Sequence, residues 1–413
     1  MKRILIIIIP AAAVVVLLYF FTDFGNYIQQ HIYYSHYKSD ESETTEESTS
    51  LITDKDFLSA SGTEIVNRSG ESIVLTGINL GGWLLQEYWM CPVNGDSDVE
   101  QWTYLETLLV LEERFGQEKT RELIEIYEDN WITEEDFKNI AEMGCNVVRI
   151  PFWYRNFMSD DEGTWIDEDF DNNPGFQRLD WAIEMAGKYG LYVILDMHGC
   201  PGGQSTDHCA GSARVCKLYD EETYQDIMEE LWLAISVRYK DNPVVAAYDI
   251  MNEPEEQDYT GDSVMDDPRN QVYDRMIQAI RENGDNHIIT VEATWTLDAL
   301  PYPEDTDWEN IVYQLHSYGD DVETCCETLK NYSETHRIPV YIGEFSDQSF
   351  FQVAGEMGIS CTSWTYKGSG QADGTWFVYV SNEVIAVDVC QDPYWLMKLK
   401  WGACLNTKYF DRL

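Results

Sequence analysis

The sequence predicts an α/β fold in which eight parallel strands alternate with helices and close into a (β/α)8 TIM barrel. Two observations carry this expectation. After residue 57, eight short apolar runs recur, and they are continuous rather than alternating, the pattern of strands buried on both faces. Between them lie amphipathic stretches with helix start and stop signals. Eight such strands alternating with helices make a closed barrel the expected architecture.

In chain order the strand runs are "SIVLTGINL" (72–80), "CNVVRIPF" (145–152), "LYVILDMH" (191–198), "VVAAYDIMN" (244–252), "HIITVEA" (287–293), "IVYQLHSY" (311–318), "PVYIGEF" (339–345) and "GISCTSWTY" (358–366). Ahead of the second, "TEEDFKNIAEMG" opens on a Thr133 cap and closes on Gly144. Ahead of the third, "LDWAIEMAGKYG" ends the same way on Gly190. The alternative, a doubly wound open sheet, would be supported by a Gly-rich phosphate turn, and none occurs.

At 413 residues the chain has room for one large barrel or two ordinary domains. No second linker and no internal repeat interrupts residues 57–413, so a single domain is expected there. Ahead of it, Lys2 and Arg3 precede an apolar run over residues 4–21. That run exceeds the ~7–15 residues of a secretory signal's apolar region, and no small-x-small cleavage site follows it. Residues 1–22 are therefore expected to be a signal anchor, with a cleaved signal peptide as the alternative. The remainder would be extracellular, either anchored by residues 4–21 or secreted, with membrane contact through that segment only. Residues 23–56 read as an acidic linker, because "KSDESETTEESTS" (38–50) offers nothing to bury.

Apolar residues make up 44% of the chain and aromatics 13%, including 14 Trp and 26 Tyr, enough for a large core and for flat apolar ligand-binding faces. The net charge of −47 repels phosphate backbones, which disfavours nucleic acid as a partner and leaves a neutral ligand unaffected. Ten cysteines agree with export, and a mixture of buried thiols and a few disulfides is expected. His198, Cys200, Asp207, His208, Cys209 and Cys216 crowd one loop, but without the paired spacing of a zinc site. Loop packing or a disulfide is the expected reading, with no metal and no cofactor. The sequence carries no signal for an oligomeric state.

Barrel sites collect where strands end, and these strands end in polar or aromatic groups. The second carries Arg149, the third Asp196 and His198, and the fourth Asn252 and Glu253. The sixth carries His316 and Tyr318, the seventh Glu344 and the eighth Trp364. Two glutamates from different strands at one mouth are what glycosidic cleavage requires, one to protonate the leaving oxygen and one to attack or to activate water. Arg149 and Tyr318 are expected to keep one carboxylate ionised, leaving the other free to hold its proton.

"VRIP" (148–151), "DMHG" (196–199), "NEP" (252–254), "HSY" (316–318), "IGEF" (342–345) and "SW" (363–364), in this order, resemble glycoside hydrolase family 5, the cellulase-type retaining β-glycosidases. The resemblance implies Glu253 as general acid/base and Glu344 as nucleophile, with Arg149 and Tyr318 holding Glu344. It further implies Asn252 on a sugar 2-hydroxyl, His316 beside the acid/base, His198 against the sugar and Trp364 beneath it. "GINLGGWLLQEYWM" (77–90) is similar to the opening of the exo-β-1,3-glucanase branch, which implies that Glu87 contacts a terminal sugar. The reading is a β-glucan hydrolase, with β-1,3 or β-1,4 linkage and exo or endo action all open. The rivals are a catalytically silent carbohydrate-binding barrel, and a β-mannanase or other hexosidase of the same fold.

Overall fold

A computed structural model describes residues 49–413 apart from 100, 214, 258–262, 370–375, 382, 383 and 385. The expected anchor over residues 1–22 and most of the expected linker lie outside the described residues. No described helix is long and apolar enough to cross a membrane. The barrel-bearing unit begins at Thr49, earlier than the expected boundary at 57. The reason is local: Ile52 is buried, the Leu51 N–H donates to the Gly187 carbonyl at 2.8 Å, and the Tyr192 hydroxyl donates to the Asp56 carbonyl at 2.9 Å.

Every expected strand forms at its run, the second and third each extending one residue further, to Trp153 and Gly199. The strands are β1 (Thr76–Asn79), β2 (Val147–Trp153), β3 (Tyr192–Gly199), β4 (Val245–Asp249), β5 (Ile288–Glu292), β6 (Ile311–Ser317), β7 (Val340–Phe345) and β8 (Ser360–Ser363). They close in sequence order, β8 pairing back onto β1, and every pairing is parallel. Each residue from β2 to β8 is buried, because helices cover one face and interior side chains fill the other.

The covering helices are α1 (Tyr104–Phe115), α2 (Gln117–Trp131), α3 (Glu134–Glu142), α4 (Pro174–Tyr189), α5 (Glu222–Tyr239), α6 (Pro268–Glu282), α7 (Val322–His336), α8 (Phe350–Met357) and α9 (Tyr394–Cys404). Thr133 caps α3 as expected, its N–H and hydroxyl both donating to Asp136. Gly190 closes α4 in the left-handed conformation. The alternation lapses once. Between β5 and β6 there are only the 3₁₀ turns Leu297–Ala299 and Pro303–Asp305, since Pro301 and Pro303 deny that segment the N–H donors of a helix.

A hairpin of Leu58–Ser61 and Glu64–Asn67 sits at the N-terminal end of the barrel. Its Ala60 N–H donates to the Asn310 side chain just before β6, and Phe57 packs on His287 just before β5. The mouth at the opposite end stays clear for side chains. The expected disulfides do not form among the described residues, where nine cysteines are free thiols. Cys361 lies inside β8 and Cys326 beneath α7, both fully buried, and the vicinal pair on α7 divides between a buried and a half-buried position.

Gly77 in β1 marks where the barrel is tightest. A Cβ there would lie 1.8 Å from the Val147 carbonyl oxygen of β2, a backbone atom that cannot swing aside. Gly77→Ala is expected to cost about 3 kcal/mol or more of stability, read as a lowered midpoint of urea denaturation against the parent chain.

Candidate active site

Arg149 projects from β2 into the barrel and has no exposed surface. Its guanidinium reaches four other strands. Nε donates to Asp249 Oδ2 of β4 at 2.8 Å. Nη1 donates to Glu344 Oε1 of β7 at 2.8 Å and to Asn79 Oδ1 of β1 at 3.1 Å. Nη2 donates to Asn252 Oδ1, just beyond β4, at 2.8 Å, and stands 3.2 Å from Asp196 Oδ2 of β3. Burial opposes the charge on Arg149, but Asp196, Asp249 and Glu344 outweigh it, and the group is held more basic than an ordinary arginine.

Glu344 accepts that bond on one oxygen and the Tyr318 hydroxyl on the other, at 2.6 Å. Glu253 faces it: carboxylate oxygens of the two glutamates and a ring nitrogen of His316 all lie within 4.8 Å of one another. His316 Nδ1 is 2.8 Å from Glu253 Oε1 and 3.6 Å from Glu344 Oε2. The Glu253 side chain is 17% exposed against 5% for Glu344, so Glu253 is the more open to a leaving group or to water. Gly343 leaves room for this cluster, since a Cβ there would stand 2.7 Å from the Gln314 amide and 2.9 Å from His316 Nε2.

The resting protonation differs from the expectation. Burial raises Glu253, but the His316 hydrogen bond and charge outweigh it and bring its pKa below the usual glutamate value. Burial raises Glu344 as well, and there His316 and Arg149 do not offset it, with the Glu253 charge adding to the rise. In the unliganded site, then, Glu253 is the better ionised of the two. The sequence pointed to the Arg149 and Tyr318 bonds to Glu344, but not to how completely His316 is enclosed by acids. Burial would lower His316, yet Glu292, Glu344 and Glu253 carry it well above an ordinary histidine.

His198 lies parallel to Trp364, ring centroids 5.3 Å apart and planes 9° apart. It is fixed through Nδ1 to Asp196 Oδ2 at 2.7 Å. Burial opposes its protonation and Asp196 overcomes that, raising it. Asn252 Nδ2 stands 3.4 Å from His198 Nε2. Glu87 is buried, accepts the Trp89 indole N–H at 2.9 Å and sits 3.3 Å from His208 Nε2. The Trp89 ring meets Trp376 at 5.7 Å, and Trp376 meets Tyr318 at 4.9 Å, which places Glu87 at the same mouth. All ten residues singled out from the sequence for this mouth, Asp196 among them, are thus brought to one end of the barrel.

Several participants were not singled out. Glu292, the last residue of β5, accepts the Glu253 backbone N–H and stands 3.0 Å from His316 Nε2. Gln314 bridges Glu292 and Asp249, and the Cys209 thiol donates to Glu253 Oε2 at 3.5 Å. The available signal was the acidic residue Glu292 next to the end of "HIITVEA". Glu253, His316 and Glu344 are also near enough together to share a metal ion. Both nitrogens of His316 already face carboxylates, however, and a doubly protonated ring has no lone pair to give a metal.

The family described as Cellulase (glycosyl hydrolase family 5) matches residues 109–385. A beta-xylosidase of Phanerodontia chrysosporium is 29% identical over 266 residues, covering 64% of this chain and 52% of that protein. A probable glucan 1,3-beta-glucosidase A of Neosartorya fischeri is 27% identical over 293 residues, covering 66% of this chain and 65% of that one. The chain therefore spans between about half and two thirds of the length of these relatives. In fold it is similar to a crystal structure of an endogalactoceramidase, with TM-score 0.56 and 19% identity over 76% of this chain and 75% of that one.

Replacing Arg149 tests how far the site depends on it. Arg149→Lys keeps one charge but cannot span four strands, so it is expected to lose about 3–5 kcal/mol of stability, the typical cost of breaking a buried pair. Thermal unfolding of the variant beside the parent chain measures this.

Proposed function

The chain belongs to glycosyl hydrolase family 5, and from that membership we propose that it is a retaining hydrolase of β-glucosidic bonds in β-glucans. The observation that carries the reading is the carboxylate pair, with oxygens within 4.8 Å of each other. That suits direct attack and a covalent intermediate at ~5–5.5 Å rather than an intervening water at ~6.5–9.5 Å. A silent binding barrel has no use for two carboxylates held in that way.

Glu344 Oε2 or Oε1 attacks the anomeric carbon as the glycosidic bond breaks, its electron pair passing to the leaving oxygen, which takes a proton from Glu253. The product is a glycosyl ester on Glu344 and a free alcohol. Water then attacks the same carbon, the ester bond breaks with its electrons returning to Glu344, and Glu253 takes the water's proton. Esterification removes the Glu344 charge, so Glu253 no longer faces an anion, its pKa falls, and it stands ionised as the base that the second step needs. Asn252 presents its amide to the sugar 2-hydroxyl, and Trp364 with His198 forms the apolar floor beneath the ring.

The barrel order separates two sides of this reaction. From β4 to β7 the short way passes through β5 and β6, and the long way passes through β8, β1, β2 and β3. Trp364, His198 and Glu87 lie on the long arc and hold the sugar whose bond is cut. Trp295 follows β5 on the short arc, is 61% exposed, and meets the Tyr318 ring edge-on at 6.2 Å. It offers the leaving group a flat face. The apolar segment over residues 4–21 supports an exported protein, anchored or secreted, that meets its polysaccharide outside the cell.

Incubating the full chain with laminarin, lichenan, carboxymethylcellulose, mannan and aryl β-glucosides and β-xylosides identifies the substrate. Release of glucose alone from laminarin indicates exo-β-1,3 action, and mixed oligosaccharides from lichenan or cellulose indicate endo action. Glu344→Gln is expected to abolish turnover on whichever substrate is cleaved while leaving the fold intact. A 2-fluoro glycoside should label Glu344 in the parent chain, detected by peptide mass. Trp295→Ala is expected to lower kcat/KM for oligosaccharides about tenfold, the scale of one aromatic contact, and to leave β-glucosyl fluoride, whose leaving group is a single atom, unaffected.

A further inference from the structure

We propose that Glu292 is a positioning residue for the acid/base proton, fixing the Glu253 backbone with one oxygen and the His316 ring with the other. This rests on the reading of Glu253 as acid/base. Glu292 Oε1 accepts the Glu253 N–H, while Oε2 faces His316 Nε2 at 3.0 Å. The His316 ring then turns its Nδ1 onto Glu253 Oε1 at 2.8 Å. Glu292 thus grips the acid/base twice, directly at its main chain and through His316 at its carboxylate. The side chains of Glu292 and His316 are both 0% exposed, so water does not compete for these bonds.

The backbone contact has a job of its own. Glu253 adopts φ 41°, a left-handed conformation that costs a residue with a side chain about 1–2 kcal/mol. Its carboxylate stands near that of Glu344, with oxygens within 4.8 Å. An anion bound to the N–H of a residue in that conformation is a direct means of holding it there, because the alternative leaves a buried donor without a partner.

The ring contact governs the proton. With carboxylates at both nitrogens, His316 carries two N–H bonds and a positive charge. The groups facing it are Glu253 from the end of β4, Glu292 from β5, Gln314 from β6 and Glu344 from β7. Farther charges act through those: Arg149 through Glu344, Asp249 through Gln314, and His198 on Glu253. As Glu253 gives its proton to the leaving oxygen, the Nδ1–H can follow onto Glu253, leaving neutral His316 with its Nε2–H still on Glu292. When Glu253 takes a proton from the incoming water, the transfer runs back. The proton lost to the leaving oxygen is replaced from the incoming water, so the trio ends the cycle with the protons it began with.

A purely structural Glu292 would give a different result from a positioning one. In Glu292→Gln the ring loses its fixed anion. Titration of the histidine rings by ¹⁵N NMR, with seven histidines in the chain and His316 assigned through His316→Gln, should then show His316 losing its proton at least about one pH unit lower. The alkaline limb of the kcat/KM profile should move the same way. Glu292→Asp, which keeps the charge on a shorter arm, should hold the ring titration close to that of the parent chain while lowering kcat, and it serves if the Gln variant does not fold. An unmoved ring titration, with activity lowered evenly at all pH values, would overturn the proposal. If the parent chain cleaves no glycoside, the reading of its function fails by itself, and the ring titration still decides whether Glu292 controls His316.

Discussion

The structure of this site hangs on one buried guanidinium. Arg149 has five hydrogen-bonding or ionic partners on β1, β3, β4 and β7, so the ends of half the barrel strands are tied to a single planar group. A buried charge is costly unless it is fully paired, and the planar fork of arginine allows several oxygens to be satisfied in fixed directions. The position of Glu344 is therefore not an independent choice of β7. It follows from where β2 places Arg149, and Asn252 is located by the same group.

That arrangement gathers more carboxyl groups than Arg149 alone can pair with. Asp196, Asp249, Glu253, Glu292 and Glu344 share the interior with Arg149 and with the raised histidines His198 and His316. Asp249 illustrates the pressure: burial raises its pKa, and Arg149 offsets only part of the rise. In so crowded a cluster the pKa order of two carboxylates depends on third parties. Glu253 is the more acidic at rest because it has the His316 hydrogen bond, and any change in the charge on Glu344 acts directly on it. The resting site is a store of protons whose location changes along the reaction.

How much of this was legible in the sequence follows from geometry. The eight strands were readable because burial on both faces leaves continuous apolar runs, and the residues just past those runs were readable because a charged group there has no structural excuse. Glu292 was harder to see. It is the last residue inside β5, where a strand of this kind alternates between barrel lumen and helix layer, and only the register that pairs Glu292 with Gln314 puts it in the lumen beside His316. Register is a property of two strands, so one strand's sequence does not contain it. Asn79 was hidden in the same way, opposite Arg149 in the β1–β2 pairing. The cysteines misled for a related reason: their number suggested disulfides, whereas their positions inside strands and under helices keep the described thiols apart.

The two arcs of the mouth do different physical work, and the partition follows from the barrel's order. In the proposed function, recognition on the long arc uses the stacked rings of Trp364 and His198 and the buried carboxylate of Glu87. In the same proposal, proton control on the short arc uses Glu292, His316 and Tyr318, whose contacts are with charged groups. The two arcs meet at Glu253 and Glu344, which are joined across the barrel by Arg149 and His316. Loops after β1, β3 and β8 can therefore vary and change which sugar fits without disturbing the charge balance that protonates the leaving oxygen. The clamp on Glu253 has no such freedom, because each of its members is buried and each is hydrogen-bonded to another.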